Sequence, residues 1–393
     1  MTLLFDALFS AVALSHFAVD ILNGQRSVIL AYLSIPLGLS NTTLGFFSTV
    51  YVITGALFQP VFGYLADQLG ARWVVAGGIL WMAGFYTLAL LTPGPLALWL
   101  LVLASLGSAA FHPAGTMQAT LRGRTHLGGR ETTSAAYFFT FGQAGSFLGP
   151  VVSGPILDRF GLAGLLWGAI FLVPVGLNAA RQIDSSILIS TLSTPDISAK
   201  NRTIHVNGSG DQIKIGFPLL AFALVAAFQA WTQQNMITFV PKYLHDLGQS
   251  ASVYGLFAAL FLGGAALGGA VGGILADRFG KRRVAAAALL LASIPLYLVG
   301  IIGWSPVLYF VVPLAGALTG AVHSIMVVLA QRILPLGMAL ASGLILGFMF
   351  SAGALGTLLC GYLADTWGFP PVFQLTGGIA LMASFLALTL QKN

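Results

Sequence analysis

The sequence predicts an all-α membrane protein, with twelve transmembrane helices in two pseudo-symmetric six-helix bundles. Three observations carry this. Charged residues make up 7% of the 393 and hydrophobic residues 57%, whereas a soluble domain carries about 25% charged residues. Apolar stretches near the roughly 20 residues that cross a hydrocarbon core recur along the whole chain. The skeleton Gly-x-x-x-Asp-x-x-Gly occurs four times: Gly63-Asp67-Gly70, Gly154-Asp158-Gly161, Gly273-Asp277-Gly280 and Gly361-Asp365-Gly368. The first and third copies lie 210 residues apart (273 minus 63) and the second and fourth 207 (361 minus 154). Self-similarity at a fixed period signals an internally repeated architecture.

The apolar segments fall at approximately 4–34, 43–66, 73–92, 96–121, 132–157, 162–180, 216–243, 251–276, 284–303, 306–331, 338–364 and 370–390. The first carries Asp6 instead of a basic leader and outlasts a signal peptide, so it reads as a retained helix. Connections are short except for 181–215, which is rich in Ser, Thr, Asn and Asp. That stretch reads as a cytoplasmic linker between an N-terminal bundle (1–180) and a C-terminal bundle (216–393). The single cysteine, Cys360, excludes an internal disulfide.

Orientation follows from Lys and Arg. With the N-terminus inside, one set of loops holds thirteen basic residues, from Arg72 through Arg181 and Arg278 to Arg332, and the tail adds Lys392. The other set holds Arg159 and Lys242. The positive-inside rule then puts both termini in the cytoplasm, in a cell (inner) membrane. It also accounts for the net charge of +6 without a nucleic-acid partner.

This topology alternates the four motif copies between faces. An Asp at a helix C-terminus meets the negative end of the dipole and needs a partner. The expected partner is the positive N-terminus of a helix from the other half, or an arginine. Such a contact forms only when the halves are closed on that face, so it acts as a latch. Its inner parts are Gly63, Asp67, Gly70 and Arg72 in one half, and Gly273, Asp277, Arg278, Gly280, Lys281 and Arg282 in the other. A plain capped turn is the alternative. A motif that inverts every three helices marks nested inverted repeats. The run from Gly273 to Arg283 resembles the loop motif of the major facilitator superfamily. On the fifth helix, Gly145-x-x-x-Gly149-Pro150-x-x-x-Gly154 resembles the motif of its antiporter members, with Ser153 in place of a glycine. That likeness implies export by antiport. Ordinary tight packing is the other reading of it.

An ionisable group at membrane depth costs about 2.5–3.5 kcal/mol on insertion scales, so each one is a functional candidate. On the first helix, His16 and Asp20 share a face with Asn23 beside them, and Arg26 lies further round. A carboxylate beside a histidine can switch protonation in the physiological range. His16, Asp20 and Arg26 are therefore the proton-coupling candidates, with a structural ion pair as the alternative. His112 and His323 are 211 residues apart (323 minus 112) and so occupy equivalent places in the two halves. With Asn23, Gln143, Gln233 and Asn235, they are the candidate lining of a central cavity.

Ser15-His16 with Asp20, Gln59-Pro60, Gly107-Ser108 with Phe111-His112-Pro113, and Gly145 with Gly149-Pro150 resemble the fosmidomycin-resistance-like branch of the superfamily. The resemblance implies a proton-coupled exporter of small organic compounds, and the chain is expected to be a monomer. It departs at the fourth helix, where Leu103 stands at about the place of an arginine common in proton–drug antiporters. Uptake by symport and a non-transporting receptor are the competing readings. No metal cluster, cofactor motif, nucleophile elbow or phosphate loop points to an enzyme.

Overall fold

The computed structural model describes residues 5–126, 131–183, 217–333 and 338–390. Six helices precede the central stretch: α1 (Ala7–Ser34), α2 (Asn41–Leu69), α3 (Ala71–Leu91), α4 (Leu96–His126), α5 (Glu131–Gly164) and α6 (Leu166–Gln182). Six follow it: α7 (Phe217–Asp246), α8 (Ala251–Phe279), α9 (Lys281–Ile302), α10 (Leu308–Ile333), α11 (Met338–Trp367) and α12 (Phe369–Ala387). Most of the expected linker lies outside the described residues.

Among the described residues, nine of these helices are long and apolar enough to cross a membrane alone. The sequence reading expected twelve spans. Helices α5 and α6 pass the same test only as a pair, bent by 81° at their junction. Helix α7 falls short because Gln229, Thr232, Gln233, Gln234 and Asn235 interrupt it. These groups face protein, not lipid: Gln229, Thr232 and Asn235 are fully buried.

The last glycine of each motif copy breaks the helix where the sequence requires it. Gly70 and Gly280 adopt φ 87°, ψ 137° and φ 91°, ψ 136°. Only glycine takes this backbone conformation without strain. In each case the amide closes the preceding helix on Ala66 or Ala276, and the next helix starts one residue later. Gly368 does likewise at φ 78°, whereas Gly161, at φ 60°, kinks α5 three residues before its end.

Within the bundles, α1 packs on α5, α3 on α4, α8 on α10 and α9 on α12. Between the bundles, the main contacts are α2 with α11 and α5 with α8, which are equivalent pairs under the internal repeat. Both depend on bare backbone. A Cβ at Gly154 would lie 2.3 Å from the carbonyl oxygen of Ala251, and one at Gly361 would lie 2.4 Å from that of Asn41. Close approach of this kind replaces the hydrophobic driving force that is missing between helices in lipid.

Candidate functional site

The polar centre of the N-terminal bundle grows from one face of α1. His16, Asp20 and Asn23 project together, as their spacing demands, and α4 adds Ser108 and His112 on the facing side. His16 Nε2 is 3.3 Å from one carboxylate oxygen of Asp20, and His112 Nε2 is 3.3 Å from the other. Asn23 Nδ2 donates to Asp20 Oδ1 at 2.8 Å and to Ser108 Oγ at 2.9 Å, while its carbonyl accepts from the Tyr51 hydroxyl at 2.7 Å. That fixes the orientation of the amide, because a carboxylate only accepts.

The other nitrogen of each imidazole is committed as well. His16 Nδ1 donates to the carbonyl of Phe138 at 2.8 Å, and His112 Nδ1 to that of Ser108 at 2.7 Å. A carbonyl accepts only, so both Nδ1 atoms carry hydrogen. In a neutral imidazole Nε2 is then a bare acceptor, and here it faces a carboxylate oxygen. Each Nε2–oxygen contact becomes a hydrogen bond only when an extra proton occupies it. Two such contacts share one carboxylate, so the geometry of the cluster is tied to its proton content. The three groups also bring their ligand atoms within 4.8 Å of one another, a set able to share a transition-metal ion.

Two groups outside the sequence candidates shape this cluster. The His16 ring stacks on Phe138 at 4.0 Å between centroids. A Cβ at Gly142 would lie 2.3 Å from His16 Nε2, so that glycine is what lets α5 cover the imidazole. Further along α5, Cβ atoms at Gly145 and Gly149 would come within 2.2 Å and 2.3 Å of the Phe17 and Ile21 carbonyls of α1. Gly154, on the same motif, serves the contact with α8 in the other half.

Arg26 stands apart from the cluster expected for it. Among the described residues it makes no ion pair with Asp20, and its guanidinium lies 5.0 Å over the Tyr51 ring. It lines a cavity of about 300 Å³ together with Asn23, Tyr51, Ser108 and His112. An adjoining cavity of about 430 Å³ is lined by Gln143, Gln233 and His323. The two share Ser146, Gln234, Ile237, Leu262 and Phe350, so the space runs between the bundles. Asn235 lines neither: it is fully buried and donates to Thr376 of α12 at 2.7 Å, which ties two helices of one bundle.

At one end of the molecule the halves are clasped. The Asp365 carboxylate, on α11, accepts from the backbone amides of Asn41 and Thr42 at 2.7 and 2.8 Å, at the start of α2. The Asp158 carboxylate, on α5, accepts from those of Ala251 and Ser252 at 2.6 and 2.8 Å, at the start of α8. Each hydroxyl of Thr42 and Ser252 adds a further bond to the same carboxylate. These are the helix N-termini of the opposite half that the sequence reading asked for. Ser48 with Thr238 and Thr49 with the Ala354 carbonyl add bridges at 3.0 and 2.6 Å near the same end.

Less is described of the copies at Asp67 and Asp277. The side chains of Asp67 and Asp277 lie outside the described residues. Arg72 and Arg282, at equivalent positions, each keep a buried Nε without a partner among the described residues. Lys281 is buried at the start of α9, and Arg278 lies 5.2 Å over the Phe279 ring. A Cβ at Gly63 would meet Pro113 at 3.6 Å, whereas one at Gly273 would meet nothing within 4 Å.

The sequence model described as Major Facilitator Superfamily matches residues 8–189 and 222–392. The chain belongs to that superfamily. It is 25% identical over 390 residues to the fosmidomycin resistance protein of Escherichia coli (strain K12), covering 98% of this chain and 93% of that one. Among solved structures, a bacterial homologue of the human lysosomal transporter Spinster, in an inward-facing and occupied conformation, superposes with a TM-score of 0.74 at 16% identity. That alignment covers 96% of this chain and 95% of the homologue. The nucleoside transporter NupG superposes with a TM-score of 0.73 at 15% identity, covering 97% and 98%. At these identities the structural likeness speaks for the fold. As a superfamily member, the chain is a multi-pass membrane transporter of small molecules and not an enzyme.

Proposed function

We infer that this transporter couples the movement of a small organic compound to protons, by alternating access, and that it works as an exporter. The observation that carries the reading is the double contact of Asp20 with His16 and His112. Both imidazoles have spent their Nδ1 hydrogens on backbone carbonyls, so the cluster holds together only by holding extra protons. A group whose geometry depends on its proton content is what coupling requires. The cavity adjoins it directly through Asn23, Ser108 and His112.

The clasp supplies the conformational half of the argument. With the topology read from Lys and Arg, Asp158 and Asp365 lie on the outer face, and the halves are tied there. That corresponds to an inward-facing state. The inner latch, with Asp67, Asp277, Arg72 and Arg282, closes when the outer one opens. Export is supported by the full-length likeness to a resistance protein and by the α5 glycine–proline motif.

The test is proton movement in proteoliposomes with an imposed substrate gradient. Antiport moves protons against the substrate flow, and symport moves them with it. Proton movement that is independent of substrate would sink the coupling. Asp20→Asn should abolish concentration of substrate driven by a proton gradient while leaving downhill exchange. Accumulation at the wild-type rate in that variant would make Asp20 structural.

A further inference from the structure

Arg26 is a charge buried beside a cavity, with no ionic partner among the described residues. The residue is 8% exposed, its Nε is buried without a partner, and among the described residues it has no ion pair. A buried charge is expected to be paired or hydrogen-bonded. The acid on its own helix, Asp20, is already held by His16, His112 and Asn23. The stacking on Tyr51 supports the guanidinium from one face and leaves its edge free.

The cavity that Arg26 lines is short of anions. Among the described residues, neither this cavity nor the adjoining one is lined by a carboxylate. A second donor lies beside the same space: Gln234, on α7 of the other half, lines the cavity, and its buried Nε2 has no acceptor among the described residues. Two orphan donors, one from each bundle, therefore border one cavity, and one of them carries a full charge.

We propose that Arg26 and Gln234 form the subsite for an anionic head group, a carboxylate or another oxyanion, on the transported compound. The proposal rests on reading the cavity as the transport route, and it removes Arg26 from the proton-coupling set. An arginine edge presents paired N–H groups that match two oxygens of such an anion. An anion held from both halves draws them together on loading. Tyr51 joins this subsite to the proton cluster: its ring supports Arg26, and its hydroxyl orients the Asn23 that bonds Asp20.

The experiment measures binding by thermal stabilisation of the purified full chain in nanodiscs. The probes are benzoate, phenylphosphonate, benzamide and benzylamine, at constant chloride. Benzoate, phenylphosphonate or both should stabilise saturably, and the neutral and cationic analogues should not. Which anion is tighter separates the two head groups. Arg26→Gln should weaken anion binding at least tenfold, Arg26→Lys less, and Gln234→Ala several-fold. If Arg26→Gln does not fold, the other two variants read the same quantity. Equal binding of benzamide, or unchanged anion affinity in the Arg26 variants, would overturn the proposal. Asp20→Asn should keep the anion response, so loss of proton coupling and loss of the subsite can be told apart.

Discussion

His112 and Asp20, 92 residues apart in sequence (112 minus 20), meet at 3.3 Å between α4 and α1. The contact gives Asp20 a second imidazole on the oxygen that His16 does not use. Under the proposed coupling, both oxygens of one carboxylate take part, and His112 should count for as much as His16.

Removing either imidazole should leave Asp20 with one proton-bridged contact. His112→Ala should lower proton-driven transport at least as strongly as His16→Ala, and the double variant should approach Asp20→Asn. Substrate-induced pH changes in proteoliposomes check this. A His112→Ala variant with unchanged proton stoichiometry and rate would remove His112 from the coupling.

Asp158 and Asp365 tie the halves together by capping helices of the opposite half, on the face that the proposed topology makes the outer one. Caps of this kind are worth about 0.5–2 kcal/mol each. Asp158→Ala with Asp365→Ala should therefore shift the equilibrium toward the outward-open state by roughly tenfold or more. With Cys360 replaced by serine, a cysteine at Thr49 should react faster with an impermeant thiol reagent applied from outside. Unchanged reactivity in the double variant would mean that the clasp does not set the state.

The lining can be mapped in the same single-cysteine background. Cysteines at His323 and Gln233 should react with a small polar reagent, and one at Asn235 should stay inert. The first two border the cavity, whereas Asn235 is buried against α12. A reactive Asn235→Cys would show that α7 presents a different face.

Glycine substitutions should separate packing from flexibility. A Cβ at Gly149 would sit 2.3 Å from the Ile21 carbonyl oxygen, whereas one at Gly84 would meet nothing within 4 Å. Gly149→Ala should cost about 1–3 kcal/mol through overpacking. Gly84→Ala should be neutral or stabilising by about 0.4–1 kcal/mol. Thermal unfolding in detergent reads both. Equal melting temperatures would refute the close contact of α1 with α5.

The sequence by itself determined the class, the halves and the capped motif ends. Hydropathy, the 210- and 207-residue repeats and the obligate glycines at positive φ act locally or periodically, so they are written along the chain. The pairing of His16 with Asp20 was legible for the same reason, because one helical turn places them together. Tertiary structure decided the rest. That His112 completes the cluster depends on how α4 docks against α1. That Phe138 contributes a carbonyl and Gly142 an absence depends on α5, and neither feature has a side-chain signature. Asn235 and Gln234 are neighbours in sequence, yet the helix turns one into a bond with α12 and the other into the cavity. Arg26 reads as part of the proton group by spacing alone. Only the three-dimensional arrangement shows that Asp20 is taken by two imidazoles and that the guanidinium lies over Tyr51 instead.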